Sequence, residues 1–282
     1  MNIKLINTQR VLSPTAMTLG DYAVNPYRGC EFACIYCYGK LAKNIEKNPG
    51  AVCVKINAAD ILEKELKYRK IKRVVLGTSC ECFTYAELRF SITEKIIALL
   101  NKNAVPFIIL TKSSLIEKYL PLIKRSRDKK IFFTFNFASE DIKRLLEKRS
   151  PSLLKRLKTL AAIKEMKIPL RVHIGPFIPY LSDLEKIFGM VKDVSDEINL
   201  EIYHSKMGNF NKVIGIIRNW DKSIADKIKA IYKDRDSYYN FSENLRDKLK
   251  KLNRAYRYKI YYIVPEFDTF YDSRINYEQP LV

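Results

Sequence analysis

Between residues 51 and 203 the chain alternates short apolar runs with longer amphipathic ones, and this alternation restricts the folds open to it. The runs at 51–56, 73–78, 106–111, 131–136, 169–175 and 198–203 are short, apolar and rich in β-branched or aromatic residues, as buried strands are. The segments at 58–68, 86–101, 115–125, 151–166 and 182–194 carry apolar residues at helical spacing, with Pro121 a potential break and Ser182 a plausible N-cap. Continuous apolar strands separated by helices suit a parallel sheet covered on both faces. About six such units are too few for a closed eightfold barrel, so the expected fold is α/β: a partial (β/α)6 barrel of the TIM type. Ligands then belong at the C-terminal ends of its strands.

The pattern changes at Gly208. Residues 1–207 are expected to form the barrel, with residues 1–24 as a leader. Residues 208–282 are expected to form a C-terminal α/β extension packed on it, with helices at 221–233 and 242–256 and a strand at 258–264. A short helix at 40–47, stopped by Asn48-Pro49-Gly50, is also expected.

Six cysteines occur, and Cys30, Cys34 and Cys37 lie within eight residues, spaced C-x3-C-x2-C. Thiolates at short, unequal spacing in a loop can converge on one metal centre. Three of them on a four-iron cluster would leave one iron open for a substrate or cofactor, whereas four close the cluster for electron transfer. A disulfide framework would need an oxidising compartment and a small core. A structural zinc site would need a fourth ligand nearby, and both histidines, His173 and His204, are far along the chain.

No apolar run is long enough to span a bilayer, and the first residues lack an apolar signal segment, so the expected location is the cytoplasm. Fifty-one basic against 31 acidic residues give a formal charge of +20. A lysine-rich surface built for ion pairs would raise its acids in step. The excess therefore favours a polyanionic partner.

The cysteine spacing, with Tyr36 directly before the third cysteine, resembles the radical S-adenosylmethionine (SAM) superfamily. Asn25-Pro-Tyr-Arg-Gly-Cys, Gly77-Thr-Ser, Leu110-Thr-Lys-Ser, Leu146-Glu-Lys-Arg-Ser-Pro and Gly175-Pro-Phe-Ile-Pro follow in order. Together they resemble the spore photoproduct lyase-related branch, over roughly residues 20–205. The resemblance implies a [4Fe-4S] cluster on Cys30, Cys34 and Cys37, with SAM chelated at the open iron. It also implies reductive cleavage of SAM to a radical that abstracts hydrogen, and an external electron donor of the flavodoxin or ferredoxin type. Tyr36 and Tyr38 would lie beside SAM, Lys112 would meet its carboxylate and Asn136 its ribose or amino acid moiety.

The chain departs from the branch at Cys80-Glu-Cys-Phe-Thr, where relatives often carry Thr-Asp-Pro-Tyr-Gln. The resemblance implies that Cys80 or Cys82 could return a hydrogen atom to the product radical; each could equally be a small buried hydrophobe, or join Cys53 at an auxiliary metal centre. Glu147 and Arg149 could pair near the site, and His173 and Arg171 alternate with Val172 on one strand. Two basic stretches, 143–158 and 248–259, could hold phosphates, with Tyr256 and Tyr258 stacking on unpaired bases. The expected function is hydrogen abstraction from a nucleic acid, in lesion repair or base modification. The alternatives are radical modification of a peptide, or a non-enzymatic iron-sulfur protein that binds nucleic acid.

Overall fold

The computed structural model describes residues 3–41, 50–206, 208–269 and 276–281. The chain begins with β1 (Ile3–Ile6) and β2 (Ser13–Pro14). It reaches β3 (Tyr22–Val24) just before the cysteine loop and β4 (Tyr27–Arg28) at the start of it. Then come β5 (Val52–Lys55), α1 (Ala58–Tyr68), β6 (Val74–Leu76), α2 (Glu87–Phe90), α3 (Ile92–Lys102), β7 (Phe107–Thr111), α4 (Leu120–Lys124) and β8 (Lys129–Thr134). Next are α5 (Glu140–Leu146), α6 (Leu153–Glu165), β9 (Leu170–Phe177), α7 (Leu184–Val191) and β10 (Glu197–Ile202). α8 (Phe210–Trp220), α9 (Lys222–Ile231), α10 (Arg235–Tyr256) and β11 (Lys259–Ile263) complete the order.

β3, β6, β7, β8, β9, β10 and β11 pair in that sequence, each parallel to the next, and β2 adds antiparallel to β3. The parallel sheet is the partial barrel expected from the alternation. Its strands are buried on both faces, as the fully buried run Val74-Val75-Leu76 shows. Because side chains alternate along a strand, Phe107, Ile109, Ile131 and Phe133 join the large cluster under the helices. Val75, Ile108, Phe132 and Ile263 point the other way and fill the lumen with Leu19 and Tyr277.

The strand at 51–56 is not part of this barrel. β5 pairs with β1 and β4 in a separate three-stranded sheet. The first barrel strand is instead β3, too short for any period to show, and β11 of the C-terminal region continues the sheet in register with β10. The helix expected at 40–47 lies largely on residues outside the described set; a 3-10 turn occupies Tyr38–Leu41. Ser182 is not the cap of α7: its Oγ accepts from the Ile178 amide, and Asp183 caps the helix by accepting from the Lys186 amide at 3.2 Å.

The lumen is filled at its lower end. Arg171 lies 3.3 Å over the Tyr261 ring and 4.6 Å over Phe132, and its Nε donates to Glu197 at 2.8 Å. A clasp of late residues spans the seam between the first and last barrel strands. The Leu281 amide donates to the Ile260 carbonyl at 2.6 Å, the Tyr277 amide to Thr18 Oγ1 at 2.9 Å, and Arg73 pairs with Glu278 at 3.1 Å. Among the described residues, no helix is long and apolar enough to cross a membrane.

Candidate active site

The cysteine loop leaves β3 at the C-terminal end of the sheet, which we call the mouth. Gly29 has φ of +79°, and a Cβ there would sit 2.2 Å from the Ala51 carbonyl, so only glycine passes. The Ala33 amide donates to the Cys30 carbonyl and the Cys37 amide to the Cys34 carbonyl, tightening the turn, and the Ile35 amide donates to the Leu146 carbonyl at the end of α5. Gly39 is needed too: a Cβ would lie 2.7 Å from the Ser79 carbonyl and 3.4 Å from Cys37 Sγ. Cys34 is buried, Cys30 and Cys37 are half-buried, and all three line one cavity of about 460 Å³. Its far wall is the ends of β6 and β7, from Gly77 to Glu81 and from Leu110 to Lys112.

Behind Cys34 lies a buried charge network. Lys112 Nζ stands 3.8 Å from Cys34 Sγ, 2.5 Å from Tyr36 Oη and 3.0 Å from Glu147 Oε1. The Glu147 carboxylate accepts from Tyr36 Oη on one oxygen and from Arg156 Nη2 on the other; Glu147 and Arg156 are both fully buried. Burial alone would raise the Glu147 carboxyl, yet Arg156 and Lys112 together hold it well below its ordinary range. Ser150 Oγ donates to the same carboxylate at 3.1 Å. Asn136 is fully buried and uses both ends of its amide: Nδ2 donates to Tyr36 Oη at 2.9 Å, and Oδ1 accepts from the Gly175 amide at 2.8 Å. Asn209 Nδ2 donates to the Tyr36 carbonyl at 2.5 Å, so the segment before α8 also holds the loop.

Glu81 braces the opposite wall. It accepts from Thr111 Oγ1 at 2.6 Å, the Phe83 amide at 3.0 Å and the Lys112 amide at 3.2 Å, and burial pushes its carboxyl up. A second chamber of about 230 Å³ opens toward the lumen, sharing Tyr36, Cys37, Tyr38 and His173 with the first and adding Phe132, Glu201 and Tyr277. His173 is pushed down to about 3 by burial and by Lys112 and Arg171, so its ring is neutral, with Nδ1 2.8 Å from Asn199 Nδ2.

The profile of the radical SAM superfamily matches residues 24–191. That covers more than half of the chain. The chain belongs to the radical SAM superfamily. An uncharacterised protein of Methanocaldococcus jannaschii is 30% identical over 214 residues, covering 73% of this chain and 81% of that one. An uncharacterised protein of Mycobacterium tuberculosis is 31% identical over 185 residues, covering 60% of this chain. The chain spans only about half, 54%, of that mycobacterial relative's length. Among solved structures, spore photoproduct lyase complexed with dinucleoside spore photoproduct superposes with a TM-score of 0.67 at 13% identity, covering 93% of this chain and 82% of that one. SuiB of Streptococcus suis bound to S-adenosylmethionine superposes at 0.56 and 13% identity, covering 91% and 52%. These likenesses show the fold.

Radical SAM enzymes use a [4Fe-4S] cluster and SAM. The donor set fits both. Three cysteines, none in a disulfide, rim one wide cavity, with a lysine ammonium against the buried one. Among the described residues, no three His, Cys, Asp or Glu side chains close on a single metal-ion position, Cys53, Cys80 and Cys82 included. Cys80 lines the cavity, with its Sγ 3.5 Å from Asn25 Oδ1; Cys82 is fully buried beside the end of β6, out of the cavity lining. Tyr36 and Lys112 line the cavity and Asn136 lies behind them. Tyr38 reaches across it, with its Oη donating to the Thr78 carbonyl at 2.5 Å.

Glu147 pairs with Lys112 and Arg156, whereas Arg149 packs against Gly50. Tyr256 and Tyr258 do not present free faces at the mouth. They stack on each other at 5.7 Å and pack edge-on against Phe188, directly before β11, at the end of the sheet opposite the mouth. Of the two basic stretches, 143–158 flanks the mouth with exposed Lys148 and Arg149, and 248–259 does not. The central roles of Arg156 and Asn209 had no local signal, since each acts on a residue distant in sequence.

Proposed function

We propose that the chain binds a [4Fe-4S] cluster through Cys30, Cys34 and Cys37 and, with SAM in the adjoining cavity, abstracts hydrogen from a nucleic acid in lesion repair or base modification. The observation that carries this reading is the placement of three cysteines, none in a disulfide, at the mouth of a parallel barrel, on a cavity that adjoins a second chamber in the lumen. When bound, the reduced cluster and SAM supply a 5′-deoxyadenosyl radical, and the cofactors' own chemistry does the rest. Tyr36, Tyr38 and Lys112 wall the SAM cavity, and Asn136 fixes Tyr36 from behind. Cys80 is the candidate to return a hydrogen atom to a product radical, because it lines the cavity while Cys82 is fully buried outside it. The excess positive charge, with Lys148 and Arg149 beside the mouth, supports a polyanionic substrate. So does likeness to a lyase whose structure holds a dinucleoside lesion. A small flavodoxin or ferredoxin would deliver the electron.

A peptide substrate is the second reading. It is favoured by the basic stretch at 248–259 lying away from the mouth, and by likeness to SuiB bound to its precursor peptide, with a TM-score of 0.52. The test is anaerobic reconstitution with iron and sulfide, reduction, and assay of 5′-deoxyadenosine with SAM alone and with DNA, RNA or peptide added. Product that rises with a nucleic acid supports the first reading, and product that rises only with peptide supports the second. A cluster-loaded protein that binds SAM and forms no product in any arm overturns both.

A further inference from the structure

The three cysteines sit in unequal electrostatic surroundings. Only Cys34 is in contact with a cation, Lys112 at 3.8 Å, among the contacts of the described residues. Behind Lys112, Glu147 is clamped between that ammonium and the Arg156 guanidinium. Arg156 is fully buried, and its Nη1 has no hydrogen-bond partner among the described residues. Two cations and one anion leave one net positive charge buried behind Cys34. On the facing wall, the Glu81 carboxylate is satisfied by Thr111 Oγ1 and the Phe83 and Lys112 amides rather than by the triad.

A buried ion triad is weak as a device for stability, because desolvation offsets most of its Coulombic gain. Its position suggests another use. Reducing a cluster adds one negative charge, and nearby charges and hydrogen bonds to the sulfurs set how favourable that is. In a low-dielectric wall each charge acts with little screening.

We propose that the Lys112–Glu147–Arg156 triad sets the reduction potential of the cluster through Cys34, with the two cations raising it and Glu147 holding it down. The proposal rests on the cluster reading above. The residues are positioning groups: they form no bond to iron and enter no step of the reaction. Charge bookkeeping gives the test its signs. The wild-type triad carries +1, Glu147→Gln would carry +2, Lys112→Met zero, and the double variant +1 again.

The experiment is an EPR-monitored redox titration of the reconstituted protein without SAM, so that any role of Lys112 in binding SAM does not enter. Iron content is measured on each sample. We expect Glu147→Gln to shift the midpoint to more positive values and Lys112→Met to more negative ones. At fixed solution potential, each changes the ratio of reduced to oxidised cluster by about tenfold or more. The double variant returns toward the wild type, and Lys112→Arg stays close to it. A merely structural role would lower iron occupancy without opposed shifts. Fully loaded variants that titrate with the wild type, or that all shift in one direction, overturn the proposal. If Glu147→Gln does not load iron, the pair Lys112→Met and Lys112→Arg still decides, because only loss of charge should move the midpoint. Wild-type protein that holds no cluster would instead overturn the reading on which the proposal stands.

Discussion

Tyr36 shows how one residue joins several functions. It stands between two candidate cysteine ligands, its ring wall faces both chambers, and its hydroxyl is the hub for Lys112, Asn136 and Glu147. Tyr36→Phe leaves buried donors on Lys112 and Asn136 short of an acceptor. The expected cost is about 1–3 kcal/mol, read from the denaturant midpoint at unchanged m-value. Arg156→Met removes one of the two cations that partner a fully buried carboxylate, and about 3–5 kcal/mol of stability should go with it. Glu201 gives a pH signature. Burial pushes its carboxyl up to about 7 from an ordinary 4.5, with the Tyr277 hydroxyl at 3.2 Å. A raised folded value means the fold favours the protonated form. That stabilisation is complete below about pH 4.5 and is lost as pH rises through about 7. Glu201→Gln should therefore flatten the fall in stability between these limits. Denaturant midpoints at both ends of the window check this; a variant as pH-sensitive as the wild type would contradict it.

At the scale of elements, the cysteine loop depends on backbone that only glycine can supply. Gly29→Ala would force a Cβ into the Ala51 carbonyl from a left-handed conformation, displacing the loop that carries Cys30. The reconstituted variant should hold markedly less iron than the wild type while its far-UV circular dichroism stays unchanged. Iron content equal to the wild type would show that the loop relaxes elsewhere. The loop was legible in the sequence because its chemistry is written in eight consecutive residues. β7 to β10 were legible because their apolar runs are flanked by helices of clear period. β3 was not, since three residues between Asp21 and Asn25-Pro26 carry no period. β5 looked like a barrel strand because its run has the same composition. Only its partners, β1 and β4, set it apart, and pairing is a long-range property. Arg156 was hidden for the same reason, as a basic residue in a basic stretch reads as surface until the fold buries it.

On the scale of the molecule, charge is distributed unevenly with respect to the mouth. Lys148 and Arg149 flank the mouth, while Lys250 and Lys251 lie near the opposite end. If the substrate is a nucleic acid that enters at the mouth, Lys148→Glu with Arg149→Glu should weaken its binding. The change should also reduce the slope of log affinity against log salt by about one unit per lost phosphate contact. The same reversal at Lys250 and Lys251 should leave that slope unchanged. Equal loss from both pairs, in fluorescence anisotropy over a salt series, would mean that binding does not use the mouth.

The Arg171 stack between Phe132 and Tyr261 closes the lower lumen, and the clasp around Tyr277 closes the side. Among the described residues these closures leave the mouth as the approach to the lumen, and an approach from one end imposes an order of traffic. Whatever binds deepest must arrive first and leave last, so a large substrate seated at the rim traps the smaller molecule beneath it. Steady-state kinetics should then be sequential and ordered. Product still held at the rim should slow the exchange of the inner ligand, and an inner ligand that exchanges equally fast with the rim occupied would show a second way out.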